Sequence, residues 1–194
     1  MKLEKVISPI KNEMLSFRKL LKKSISSNNI LIDEVINYIL KRKGKQIRPV
    51  IVFLSSGICG KINDSTLRAA VLIEILHTAT LIHDDVVDES NYRRGYFSIN
   101  AIWKNKYSVL IGDYLLSSGL TFSLENDDFK FLKVLSNSVK EMSEGEIIQM
   151  KKSKSLDLDE ELYFKIIEKK TASLFVACCE MGAISSSKNI NKIS

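Results

Sequence analysis

The chain has 194 residues, 45% of them apolar, which supports a substantial core in one moderately sized domain. Its formal charge of +6 suits anionic small molecules, nucleic acid or a membrane surface and does not choose among them. The opening MKLEKVISPIKNE mixes charges too early for a signal peptide, no uninterrupted apolar run reaches the roughly 18 residues of a membrane span, and three cysteines (Cys59, Cys178, Cys179) without CxxC spacing read as reduced core residues, so a soluble cytoplasmic protein is expected.

Only 8 glycines and 2 prolines interrupt the chain. Long segments of 3.6 period dominate, and no short alternating runs stand between turn signals, so the expected class is all-α. The first helix should start with Ser8 as N-cap and Pro9 at its first position. Ile10, Met14, Phe17, Leu21 and Ile25 form its buried stripe, with lysines opposite. Residues 26–29 make a polar turn, and a second helix covers about 31–42 and stops at Gly44. Lys45 and Arg48 then fall between that glycine and Pro49, which opens the next helix. Free backbone N–H groups and the helix dipole add to their charge there, although a basic turn alone is also ordinary solvated surface. An apolar helix over 50–59 and a turn through Gly60 and Asn63 lead onward.

In the next helix Ala69, Ala70, Val71, Leu72, Ile73, Ile75 and Leu76 cover every direction around the axis, so it must be buried. Set into it are His77, Asp84, Asp85 and Asp88. At about 100° per residue, Asp84 lies about 20° to one side of His77 and Asp88 about 20° to the other, so the three form one stripe. Carboxylates crowded at the end of a buried helix repel one another and lose hydration, which calls for a cation. Mg²⁺ fits, because it takes a few carboxylate oxygens and completes its octahedron with water and phosphate. Arg93 and Arg94 follow at once, and paired guanidiniums suit phosphate oxygens. Together these residues describe a diphosphate site. His83 points about 100° away from Asp84 and reads as structural.

A short segment over 98–104 leads to a helix over 107–125 that is apolar on most faces. Asn126, Asp127 and Asp128 form a turn and N-cap. A helix over 129–150 follows, with Glu146 and Gln149 in an i, i+3 relation, and then a charged surface loop over 151–159 whose Asp157 and Asp159 are solvated. The last long helix covers 160–183 and carries Lys169, Lys170, Thr171, Ala172, Ser173 and Leu174 before a polar tail.

DDVVD at 84–88 followed by RRG at 93–95 resembles the first aspartate-rich motif of the trans-prenyl diphosphate synthases, or polyprenyl synthetases. GKQIRP at 44–49 is similar to the family's GKRxRP, His77 to a family histidine, and KTA at 170–172 to the family's KTA. The resemblance spans nearly the whole chain. It implies an isoprenoid-synthase-type helical bundle around a central cavity. It also implies Mg²⁺-dependent condensation of isopentenyl diphosphate with an allylic prenyl diphosphate, of the long-chain, octaprenyl-type kind that supplies quinone side chains. Carried over by resemblance, Asp84, Asp85, Asp88 and Lys170 are catalytic, with the metal on Asp84 and Asp88. Lys45, Arg48, His77 and Arg94 hold isopentenyl diphosphate; Arg93, Lys170 and Thr171 hold the allylic partner. The small Ala79 and Thr80 stand where the family sets chain length, with Thr80 facing the cavity and Ala79 at its flank. Gln46 replaces an arginine that makes no phosphate contact. The 107–125 helix corresponds to a homodimer interface, although an ordinary core helix fits its sequence nearly as well.

No second aspartate-rich motif follows Ala183. The expectation is one incomplete domain over 1–194, truncated on its C-terminal side and weakly active or inactive alone. The alternative is a non-catalytic or split-subunit relative that binds diphosphates and needs a partner bearing the second motif. A nucleic-acid binder has the charge but no recognition motif or stacking surface.

Overall fold

The computed structural model describes residues 3–41, 44–93, 95–153 and 159–187. Leu3–Ile7 (α1) passes through a 3₁₀ turn at Ser8–Ile10 into Lys11–Ile25 (α2). The backbone is already helical at Ile7 and Pro9 fits within the 3₁₀ turn, so Ser8 caps nothing and helical structure starts earlier than the Ser-Pro signal implies. The expected stripe from Ile10 to Ile25 is buried. Then come Ile30–Lys41 (α3), Ile47–Cys59 (α4) and Asp64–Val87 (α5). A two-strand hairpin, Tyr92–Arg93 (β1) with Tyr96–Phe97 (β2), pairs Tyr92 with Phe97 and Arg93 with Tyr96. Gly95 in its turn takes a φ of 81° that disfavours a side chain. Ile99–Leu124 (α6), Phe129–Ser153 (α7), Glu160–Ile167 (α8), a π-helical segment at Glu168–Ala172 and Ser173–Ser186 (α9) complete the order.

The helix α5 is the axis of the bundle. A capping box starts it: the Asn63 side chain accepts from the Thr66 N–H, and the Thr66 hydroxyl accepts from the Asn63 N–H. Ala69, Ala70, Val71, Ile73 and Ala79 are fully buried. Among the described residues α5 is the one helix long and apolar enough to cross a membrane by length and composition, a property the absence of an uninterrupted apolar run had hidden. Here 61% of its apolar window is buried against the rest of the bundle, and α6, α4, α9 and α2 surround it. Close approach of backbones sets the other large interface, between α4 and α9. A Cβ on Gly182 would come within 2.4 Å of the Val52 carbonyl oxygen, and one on Gly60 within 2.8 Å of the Ser186 oxygen.

Several local expectations change. From Ile99 the segment is helical and runs on in α6 across a kink at Lys104, where φ is 70°. Asp128 does not spend its carboxylate on capping. It is buried and accepts two hydrogen bonds from Arg68, from Nε at 2.6 Å and Nη2 at 3.0 Å. Asp157 lies outside the described residues, and Asp159 caps α8 by accepting from the Leu162 N–H at 2.7 Å. The last long helix is interrupted by the π segment. Of the three cysteines only Cys178 is a core residue, its thiol pushed up to about 12 by burial; Cys59 and Cys179 are exposed.

Candidate active site

The turn before α4 aims its basic residues. Gln46 holds a left-handed backbone (φ 49°, ψ 43°), and its side-chain oxygen accepts from Arg18 Nε at 2.9 Å. Pro49 sits in the first turn of α4, where no N–H is needed. Arg48, in the same turn, points into the bundle. Its Nη1 is 2.8 Å from His77 Nε2 on α5, and its Cζ lies 5.2 Å from the centre of the Phe175 ring on α9. A cavity of about 770 Å³ opens beside this pair. Lys45, Arg48, Glu74, His77, Asp85 and Arg93 supply its polar wall, and Leu21, Leu81 and Ile82 part of its apolar wall. Lys45, Arg48 and His77, predicted from separate motifs, therefore meet at one cavity.

Arg93 also borders this cavity, held from the hairpin by the Asp85 carboxylate, which accepts from its Nε at 2.6 Å. Asp85 is only 5% exposed. Burial raises its pKa and outweighs the opposing bond to Arg93; Asp88 adds a smaller upward push. The middle aspartate of the motif thus fixes the hairpin. Arg94 lies outside the described residues.

Asp84 belongs to a second cluster, with Glu146 and Lys170. Burial raises its pKa most, then Glu146; Lys170 and Arg93 lower it, and Asp88 raises it slightly. The π segment is closed by a hydrogen bond from the Ser173 N–H to the Glu168 carbonyl, one residue wider than an α-turn. Both of its lysines reach α7. Lys169 donates to Glu141 and, at 2.8 Å, to Glu144, which together push its pKa up to about 12. Lys170 pairs with Glu146 and donates to Gln149 at 3.3 Å. The i, i+3 pair singled out on α7 therefore meets the predicted lysine. Gly145 makes this possible, since a Cβ there would stand 2.9 Å from Lys169 Cβ and 3.1 Å from the Lys170 nitrogen.

Thr171 is exposed on the same segment, and Asp88 is exposed at the end of α5. Ala79 is fully buried and does not border this cavity. Thr80 does not border it either; it lies one turn from Asp84 on the Asp84 side of α5, its hydroxyl donating to the His77 carbonyl at 3.0 Å. His83 is structural as expected, its Nε2 3.3 Å from the Val109 carbonyl and 3.5 Å from Asp113. Phe175 had no signal in sequence beyond an aromatic residue shortly after the KTA segment.

Among the described residues, no three His, Cys, Asp or Glu side chains converge to hold a metal ion by themselves. The crowded Asp84 does suit a hard cation, provided that water or phosphate oxygens complete the shell.

The Polyprenyl synthetase family model matches residues 29–194. The chain is 35% identical over 184 residues to an all-trans-nonaprenyl-diphosphate synthase (geranyl-diphosphate specific) of Rhodobacter capsulatus, covering 94% of this chain and 57% of that protein. It is 36% identical over 184 residues to the octaprenyl diphosphate synthase of Escherichia coli, covering 95% and 57%. It is 33% identical over 187 residues to heptaprenyl diphosphate synthase component 2 of Bacillus subtilis, covering 96% and 53%. Among solved structures, a polyprenyl synthase from Caulobacter crescentus complexed with calcium and isoprenyl diphosphate superposes with a TM-score of 0.92 at 32% identity, covering 99% of this chain and 58% of that one. The chain therefore spans a little over half the length of these relatives. The match over 29–194, with the helical bundle those structures share, makes this chain a member of the polyprenyl synthetase family.

Proposed function

We propose that the chain serves in trans-prenyl transfer, joining isopentenyl diphosphate to an allylic prenyl diphosphate to give a long all-trans polyprenyl diphosphate. The observation that carries this reading is the pair of charged centres along α5, one around Arg48 and His77 and one around Asp84 and Lys170, with Arg93 acting on both. Lys45, Arg48 and His77, with Arg94, take isopentenyl diphosphate. Arg93, Lys170 and Thr171 take the allylic diphosphate. Asp84 and Asp88 are the residues that would hold Mg²⁺; when bound, it supplies positive charge to the departing diphosphate. Asp85 keeps the Arg93 guanidinium in place. The nucleophile is the substrate's own double bond, and the proton it releases goes to the leaving diphosphate. The chain's task is therefore alignment, charge and exclusion of water, which the apolar Leu81 and Ile82 wall assists.

Names of the relatives support a long product; a cytoplasmic role in supplying quinone side chains belongs to the same proposal. Residues 1–194 belong to one polyprenyl synthetase domain, which pairs with a second copy through 107–125. One observation favours a second reading, in which the chain binds diphosphates and depends on another subunit. One relative is named as component 2 of its synthase.

The test is incubation with radiolabelled isopentenyl diphosphate, farnesyl diphosphate and Mg²⁺, followed by chromatography of dephosphorylated products. Long polyprenols that vanish with a chelator support the first reading. Binding of both diphosphates without product supports the second, and binding of neither overturns both.

A further inference from the structure

We propose that Phe175 is a positioning residue for Arg48, its ring holding the guanidinium in the cavity wall in the orientation that receives a diphosphate. The inference rests on reading Lys45, Arg48 and His77 as an anion site. The separation of 5.2 Å between Arg48 Cζ and the ring centre lies inside the roughly 6 Å over which an aromatic face attracts a cation. His77 Nε2 meets Nη1 from the opposite helix at 2.8 Å, so the guanidinium is fixed both by its end and by its face.

A ring suits this task for an electrostatic reason. A carboxylate in its place would neutralise the charge that a diphosphate needs and would compete with it. An aromatic quadrupole orients the guanidinium and leaves its charge available. The long arginine side chain otherwise loses rotamer freedom whenever it clamps an anion, and a side chain held in advance loses less.

The support is rigid because of how α9 lies on α4. Gly182 seats α9 directly on the Val52 backbone, and Gly60 abuts Ser186 at the far end, so Phe175 and Arg48 ride on two closely packed helices. Phe175 also follows Lys170 and Thr171 by five and four residues. The segment beside Asp84 thus runs directly into the helix that supports the arginine of the other centre.

The experiment titrates the 194-residue chain with isopentenyl diphosphate by calorimetry, with thermal melting of each variant alongside. Phe175→Leu should weaken binding about three- to tenfold with little change in melting, and Phe175→Tyr should stay near the parent. Arg48→Ala should weaken binding more, and Phe175→Leu should add nothing in that background. Nitrogen-15 NMR of the Arg48 Nε–H should show an upfield ring-current shift in the parent and the Tyr variant, lost in the Leu variant. If the Leu variant melts early, Phe175→Met provides the second ring-less side chain for the same comparison. Parental affinity in the ring-less variants, with binding lost in Arg48→Ala, would reduce Phe175 to packing and overturn the proposal. An equal penalty with and without Arg48 would overturn it too, by showing an effect through the fold. Parental affinity in Arg48→Ala, or no binding by the parent, removes the anion site itself and the proposal with it.

Discussion

At Asp84 the fold keeps a carboxylate whose ionisation is opposed first by burial, then by Glu146, with Asp88 adding less and Lys170 and Arg93 opposing them. The folded state therefore holds the Asp84 proton more tightly than the unfolded chain does. By linkage, this group's contribution to stability is most favourable below the unfolded carboxylate pKa and is lost as pH rises through the raised folded value. At neutral pH an unliganded Asp84 is thus a liability that a cation would relieve. Asp84→Asn is expected to melt above the parent at neutral pH without ligands, with the difference shrinking as pH falls toward the carboxylate range. The same variant should lose the rise in melting temperature that Mg²⁺ with inorganic diphosphate gives the parent. Melting curves over pH, with and without those two ligands, check both halves; a variant that melts lower at neutral pH would refute the liability. Asp85 differs by one position and has another fate, because a rotation of about 100° turns it toward the hairpin and Arg93. The motif made three equal aspartates legible, but their division of labour depended on what the neighbouring elements brought to each.

Elements were easiest to read where periodicity was long and hardest where tertiary contact bends them. The buried stripe of α2 and the apolar run of α5 were visible because burial repeats at helical spacing. The kink at Lys104 and the π segment at Glu168–Ala172 were not, since no proline or glycine lies at either to mark it. Ala79 shows a related limit: it is fully buried. Its angle from Asp84 was correct, but which helix covers that angle is not written in local sequence. Gly145 shows the element-scale cause most directly, because it lets the π segment lie against α7 closely enough for Lys169 and Lys170 to reach four α7 side chains. Gly145→Ala should force these backbones apart and lower stability by about 1–3 kcal/mol, the usual range for overpacking. Amide exchange in 168–173 should quicken while that in α5 stays slow. Chemical denaturation and hydrogen exchange measure the two effects, and unchanged exchange across 168–173 would show that the π turn does not depend on this contact.

Across the whole molecule the core is concentrated on α5, and large apolar side chains are left outside on α6. Leu110 is 64% exposed and Leu120 and Leu124 each 53%, and they fall within about 80° of one another around the helix. Tyr107 and Val109 extend the same surface at 46% and 41%. Exposed apolar residues are common singly, but a row of them on one helix marks a surface that something covers. The sequence left two readings for 107–125, a core helix or an interface, because a helix apolar on most faces fits either. Burial separates them by face: Ile111, Leu115 and Gly119 turn inward against α5, where a Cβ on Gly119 would already touch Ile75 and Leu72 at 3.3 Å, and the leucines turn outward. A second copy of this chain is the occupant the family reading favours. The parent should then sediment as a dimer at micromolar concentration, and Leu110→Glu with Leu120→Glu should sediment as a folded monomer. These substitutions lie on the outer face of α6, so the helical circular dichroism of the parent should persist. Sedimentation velocity with circular dichroism decides it: a monomeric parent would leave the α6 face to a different subunit, and a dimer that survives both charges would place the contact elsewhere on the bundle.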